Sequence, residues 1–109
     1  MTLAEYQKQA RRTATFPPIG ASYVYPTLGL ASEAGEVASK VKKIFRDQGG
    51  VLDEAHREEI LRELGDVLWY VAALATELNA ELDDVAVENL TKLASRQSRG
   101  VIKGEGDSR

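Results

Sequence analysis

The sequence contains no cysteine in its 109 residues, which rules out disulfides and thiolate-held metals and is compatible with a reducing compartment. Its single histidine, His56, falls in what reads as the first turn of a helix, a surface position rather than a catalytic one. No apolar run approaches the roughly 20 residues of a membrane-spanning helix, and Glu5 and Lys8 stand where a signal peptide would carry its apolar core. Basic residues are also short: 14 Lys and Arg against 17 Asp and Glu leave a net charge of −3, whereas a duplex-binding module carries a clear basic excess. The acids are spread along the chain, with no acidic tail. These absences predict a soluble cytoplasmic protein with no nucleic-acid partner and no membrane association.

What is present is a 43% apolar fraction beside 28% charge, enough for one domain with a core, though a chain this short exposes more surface per residue than a longer one. Part of the apolar surface is expected to be buried in an oligomer. Thr2 and Glu5 form a capping-box pattern at the start of a helix over 3–13, with Leu3, Tyr6 and Ala10 on its docked face. Pro17 and Pro18 stop it. A second helix over 26–46 opens on Pro26 and carries Leu30, Ala34, Val37, Val41 and Ile44 at alternating steps of four and three. Gly49 and Gly50 end it, and Asp53 is a plausible N-cap for a third helix over 54–79. The seam of that helix is Ile60, Leu64, Val67, Val71, Leu74 and Leu78; Leu61, Leu68, Ala72 and Ala75 add a second strip, which predicts the most buried of the helices. Asp83, or Asn79, caps a fourth helix ending near Ser98, with Val85, Val87, Leu90, Leu93 and Ala94 for packing. No strand pattern competes. The fold class is therefore all-α, one bundle-like domain over 1–109, with a helix and proline-rich loop over 1–20 and a charged, glycine-rich tail over 100–109 that composition assigns to disorder.

One phrase occurs twice. Residues 30–37 read Leu-Ala-Ser-Glu-Ala-Gly-Glu-Val and residues 60–67 read Ile-Leu-Arg-Glu-Leu-Gly-Asp-Val. On a helix, residues three apart are neighbours, so Glu33 pairs with Glu36 and Glu63 with Asp66. At about 100° per residue, with Ala34 and Leu64 at the centres of their seams, Glu33 and Glu36 fall on one flank with Lys40, and Glu63 and Asp66 on the matching flank with Glu59 and Tyr70. An antiparallel hairpin brings these flanks together as four carboxylates at the margin of the core. Such a cluster cannot stay ionised without a counter-ion, and oxygen-only donors point to Mg²⁺, or Mn²⁺. A lone Glu-x-x-Glu is more often a solvated surface; here the matched phase, and the absence of lysine at i+4 of Glu33, Glu63 or Asp66, favour the metal reading. Lys40, four after Glu36, reads as its ordinary ion-pair partner.

Gly35 and Gly65 each cost roughly 0.8–1 kcal/mol relative to alanine inside a helix. Both lie on the flank away from the acids, which predicts tight helix–helix contact, within the subunit or across a dimer. Trp69 is expected in the core or an interface. Arg96, Arg99, Lys103 and Arg109 either solubilise the tail or hold phosphates.

Glu33-x-x-Glu36 followed by Glu63-x-x-Asp66 resembles the signature of the MazG-like all-α nucleoside triphosphate pyrophosphohydrolases, relatives of dimeric dUTPases and phosphoribosyl-ATP pyrophosphohydrolases. The likeness extends to Leu28-Gly29-Leu30, Lys42-Lys43, the run from Glu63 to Tyr70, Asn89 with Lys92, and the tail from Arg99 to Arg109. It covers most of the chain from Tyr25 onward. The resemblance implies a helical homodimer or homotetramer that hydrolyses an NTP or dNTP to the monophosphate and pyrophosphate. It also implies Mg²⁺ on Glu33, Glu36, Glu63 and Asp66, Asn89 and Lys92 near the nucleotide or its phosphates, and Tyr70 near the sugar or base; Arg96 and Lys103 are further candidates for phosphate. Acids with basic helpers suit direct attack of an activated water on the α-phosphorus, one glutamate acting as base. Base preference would depend on Phe16, Tyr23 and Tyr25. The narrower alternative is a dUTPase or dCTP pyrophosphatase; the alternative of another class is a non-catalytic helical interaction protein.

Overall fold

The computed structural model describes all residues 1–109 and is entirely helical, without strands. Helix α1, Leu3–Ala10, begins at the expected capping box: the Glu5 amide donates to Thr2 Oγ1 at 3.1 Å and the Thr2 amide to Glu5 Oε2 at 3.3 Å. The last turn of the expected helix tightens into a 3₁₀ turn, Arg11–Thr13. Helix α2, Val24–Asp47, starts two residues before Pro26, which still falls among the first amides that lack an intrahelical partner. Gly49 and Gly50 follow it with φ of 63° and 79°, and the Gly50 amide donates to the Ile44 carbonyl at 3.1 Å, closing the helix end.

Helix α3, Glu54–Glu77, is capped by Asp53, whose carboxylate accepts from the His56 amide at 2.8 Å. It ends through Asn79 at φ 56°, a left-handed residue that asparagine tolerates. Asn79 is therefore the end of α3 and not the cap of the next helix. Nor is Asp83 that cap: α4 spans Leu82–Ser98, Asp83 lies in its first turn, and the Leu82 amide is satisfied by Gln7 Oε1 at 2.8 Å. Gln7, 2% exposed, also donates to Thr76 Oγ1 at 3.1 Å and to the Ala80 carbonyl at 2.9 Å, so one buried amide fastens α1 to the α3–α4 turn. Around it lies the small core of Ala10, Ala72 and Leu82, against which Tyr6, Trp69 and Val71 pack.

Helices α2 and α3 form an antiparallel hairpin, while α1 and α4 pack on α3. The seam of α2 differs from the expected one. Among its covered or half-covered residues are Pro26, Gly29, Leu30, Glu33, Val37, Lys40 and Ile44, whereas Ala34 and Val41 face outward. On α3, Ile60, Glu63, Val67 and Tyr70 are covered, while Leu64 is 52% exposed. Both helices are thus rotated by about 40° from the apolar-only seam, which draws acids into the contact and leaves apolar side chains outside. As a result α3 is buried only toward its C-terminal half, at Ala72, Ala73 and Ala75; Leu61 and Leu68 remain 43% and 40% exposed.

The glycine expectation fails within the chain. A Cβ at Gly35 or Gly65 would meet nothing within 4 Å, so neither makes a tight contact here. The close approach is at Gly29, where a Cβ would collide with the Tyr70 ring. No helix is long and apolar enough to cross a membrane.

Candidate metal centre

Glu33 on α2 and Glu63 and Asp66 on α3 each offer a carboxylate oxygen within 4.8 Å of the others. The hairpin explains this: Glu63 and Asp66 are one turn apart, and Glu33 faces them from the antiparallel partner. Glu33 and Glu63 are half-buried, while Asp66 is exposed. Burial, foremost, raises the Glu33 carboxyl above its ordinary range; the charges of Asp66 and Glu63, a hydrogen bond with Glu63, and Glu36 add to it. Three hard oxygen donors under mutual repulsion fit a Mg²⁺-type cation, whose charge would offset that repulsion.

Glu36 stands outside this trio, exposed on the rim and acting on Glu33 through its charge. Lys40 pairs not with Glu36 but across the hairpin with Glu59, at 3.8 Å. Tyr70 does reach the acids: burial, most of all, raises its phenol, followed by Tyr25, Glu33 and a hydrogen bond with Tyr25. Beyond it lies an aromatic wall. Phe16 stacks on Tyr25 with centroids 5.5 Å apart, and Trp69 stands edge-on to Phe16 at 6.3 Å and to Tyr70 at 5.0 Å. Trp69 is held by its Nε1–H donating to Thr13 Oγ1 at 2.9 Å. Tyr6, whose phenol is raised by burial and then by Asp66, brings α1 to the same place. Tyr23, 49% exposed, is not part of the wall.

The remaining expected site residues are elsewhere in a single chain. Asn89 and Lys92 line an open groove on α4 with Val85 and Glu88, and α4 has no substantial contact with α2. Arg96 is buried, and Lys103 is exposed. His56 remains at the start of α3, its Nδ1 2.6 Å from Asp53 Oδ1. Gln7 escaped the sequence reading, and Tyr6 and Gly29 entered it only as a docked-face residue and as part of the Leu28-Gly29-Leu30 run, not as neighbours of the acids. Gly29 alone had a legible signal: it stands four residues before Glu33, on the same stripe of α2.

These elements define an all-α protein with a candidate divalent-cation site on its central hairpin. Residues 26–101 match the MazG nucleotide pyrophosphohydrolase domain, and the chain belongs to that family. It is also 50% identical over 109 residues to the Gene 37 protein of Mycobacterium phage L5, covering 95% of this chain and 96% of the relative. No solved structure matches it significantly. The family match begins at residue 26, so Tyr6, Phe16 and Tyr25 lie outside it.

Proposed function

We propose that this chain is a Mg²⁺-dependent nucleoside triphosphate pyrophosphohydrolase, with Mn²⁺ able to substitute, that cleaves an NTP or dNTP to the monophosphate and pyrophosphate in the cytoplasm and serves to clear the nucleotide pool. The observation that carries this reading is the Glu33–Glu63–Asp66 trio in a chain of the MazG family. A bound divalent cation would neutralise phosphate charge and acidify water. The chain's own part is to hold the carboxylates at fixed spacing, to orient a water toward the α-phosphorus and to take its proton on a glutamate. Glu36, on the rim, would be the fourth acid available to the cation.

Asn89 and Lys92 act in this reading from α4 of a second copy, since the groove they line within one chain includes none of the acids of the trio. The assembly is a homodimer or homotetramer, supported by the apolar faces left outside the hairpin. The aromatic wall of Phe16, Tyr25, Trp69 and Tyr70 beside the trio favours stacking of a nucleobase, and with it the narrower reading of a base-selective enzyme such as a dUTPase or dCTP pyrophosphatase.

Mg²⁺-dependent pyrophosphate release from a panel of ribo- and deoxynucleoside triphosphates tests this. Turnover should fall by about a hundredfold or more in Asp66→Ala and in Glu36→Ala, with the helical circular-dichroism signal retained. Full activity in either variant would sink the mechanism. No release from any nucleotide, with no metal-induced thermal shift, would leave a non-catalytic helical interaction protein.

A further inference from the structure

Residues 101–109 form turns that fold back along α4. The Val101 amide donates to the Arg96 carbonyl at 2.9 Å, and the Arg109 guanidinium donates to the carbonyls of Val101 and Ile102 at 3.1 and 3.2 Å, closing the segment on itself. At the end of α4 Arg99 Nη2 donates to the Arg109 carbonyl at 2.6 Å, and farther back along the helix the tie is Asp107. The carboxylate accepts from Lys92 Nζ at 3.0 Å and Arg96 Nη2 at 3.1 Å, and the Asp107 carbonyl accepts from Arg96 Nη2 at 2.9 Å.

A second observation concerns Arg96 alone. It is only 3% exposed, yet its Nε–H has no hydrogen-bond partner. A guanidinium presents its donors as a planar fork suited to two oxygens of one anion. Here both bonds that Arg96 makes with Asp107 leave from one nitrogen, and the fork's other prong is left dry. The Asp107 side chain is itself 86% exposed while Arg96 is buried, so the anion is the partner of the pair that stands open to solvent and to exchange. The two cations are thus held by an internal carboxylate that satisfies them incompletely. A diphosphate group brings more charge and more acceptor oxygens to the same fork, and the groove of Val85, Glu88, Asn89 and Lys92 lies open beside it.

We propose that residues 101–109 are a strap whose Asp107 occupies the Lys92–Arg96 pair until the diphosphate group of a ligand takes its place. The choice of a diphosphate rests on the function proposed above; the displacement itself rests on the geometry. While the strap is down, the measured affinity is the intrinsic affinity reduced by the fraction of chains with the pair free.

Isothermal titration of the full chain without metal tests the strap, using inorganic pyrophosphate and, separately, an α,β-methylene deoxynucleoside triphosphate. Asp107→Asn, at an exposed position, should bind about fivefold tighter or more, whereas Lys92→Gln should lose the binding. Ligand should also speed tryptic cleavage after Lys103 in the unsubstituted chain. A gain with both ligands shows that the diphosphate alone is recognised; a gain with the nucleotide alone shows that the ester-linked phosphate is needed. Unchanged or weaker binding by Asp107→Asn to both, or protection of Lys103 by ligand, overturns the strap. The two readings fail separately. A chain that gains affinity in Asp107→Asn but hydrolyses no nucleotide keeps the strap and loses the enzyme; turnover without the gain does the reverse.

Discussion

Glu33 holds its proton more tightly in the folded chain than a free carboxyl does, because of burial first and then Asp66 and Glu63. A raised folded pKa means that unfolding releases the proton, so the stability linked to Glu33 is present at low pH and declines as pH rises through the raised value. Glu33→Gln should therefore raise the melting temperature of the metal-free protein at neutral pH and flatten its pH dependence just above the ordinary carboxylate range. The same substitution should remove the gain from Mg²⁺, which in the unsubstituted chain amounts to about 5–10 °C at ten times Kd. Calorimetric scans with Mg²⁺ and with a chelator check both arms; a lower melting temperature in metal-free Glu33→Gln would contradict the repulsion. At this scale Glu63 and Asp66 were legible as a pair, since a spacing of three puts carboxylates together on any helix, whereas Glu36 at the same spacing from Glu33 stays outside the trio. Gln7 was not: a glutamine that caps an amide 75 positions away leaves no local pattern.

Among the helices, α3 starts on a cap that titrates. Asp53 is held below the usual carboxylate range, first by the His56 amide and then by its side chain. A depressed folded pKa gives stability that is fully present above the unfolded value and lost as pH falls through the folded one. Asp53→Ala should lower the urea midpoint at neutral pH, and the difference should shrink in acid, where the protonated cap is a poorer acceptor. A difference undiminished in acid would point to packing rather than capping. The starts of α1 and α3 were readable because their caps lie within three residues, at Thr2–Glu5 and Asp53–His56. The start of α4 was misread because its amide is satisfied from another helix.

For the molecule as a whole, 9 of 109 residues are buried, and the radius of gyration of 16.8 Å exceeds the about 13 Å of a compact chain this long. Leu64 on α3 and Phe45 on α2, 52% and 70% exposed, belong to apolar surface that nothing in the chain covers. Gly65 lies in that surface, beside Leu61, Leu64 and Leu68. In one chain its Cβ space is open, so Gly65→Ala would stabilise α3 by about 0.8–1 kcal/mol. If a second copy packs there, the added methyl instead weakens association. Sedimentation equilibrium should show weaker self-association in Gly65→Ala; unchanged association with a higher melting temperature would remove Gly65 from the interface. The all-α class and the hairpin were legible from periodicity, but the rotational phase of α2 was not, because the apolar pattern alone placed Ala34 at the centre. That phase has a key. Tyr70 seats its ring where Gly29 has no side chain, and each step along α2 toward the turn is matched by an equal step back along α3. With Gly29 against Tyr70, Glu33 must face Asp66 and Lys40 must face Glu59. A hydrogen atom in place of a methyl thus selects which face of α2 looks inward, and the acids come together by the same choice.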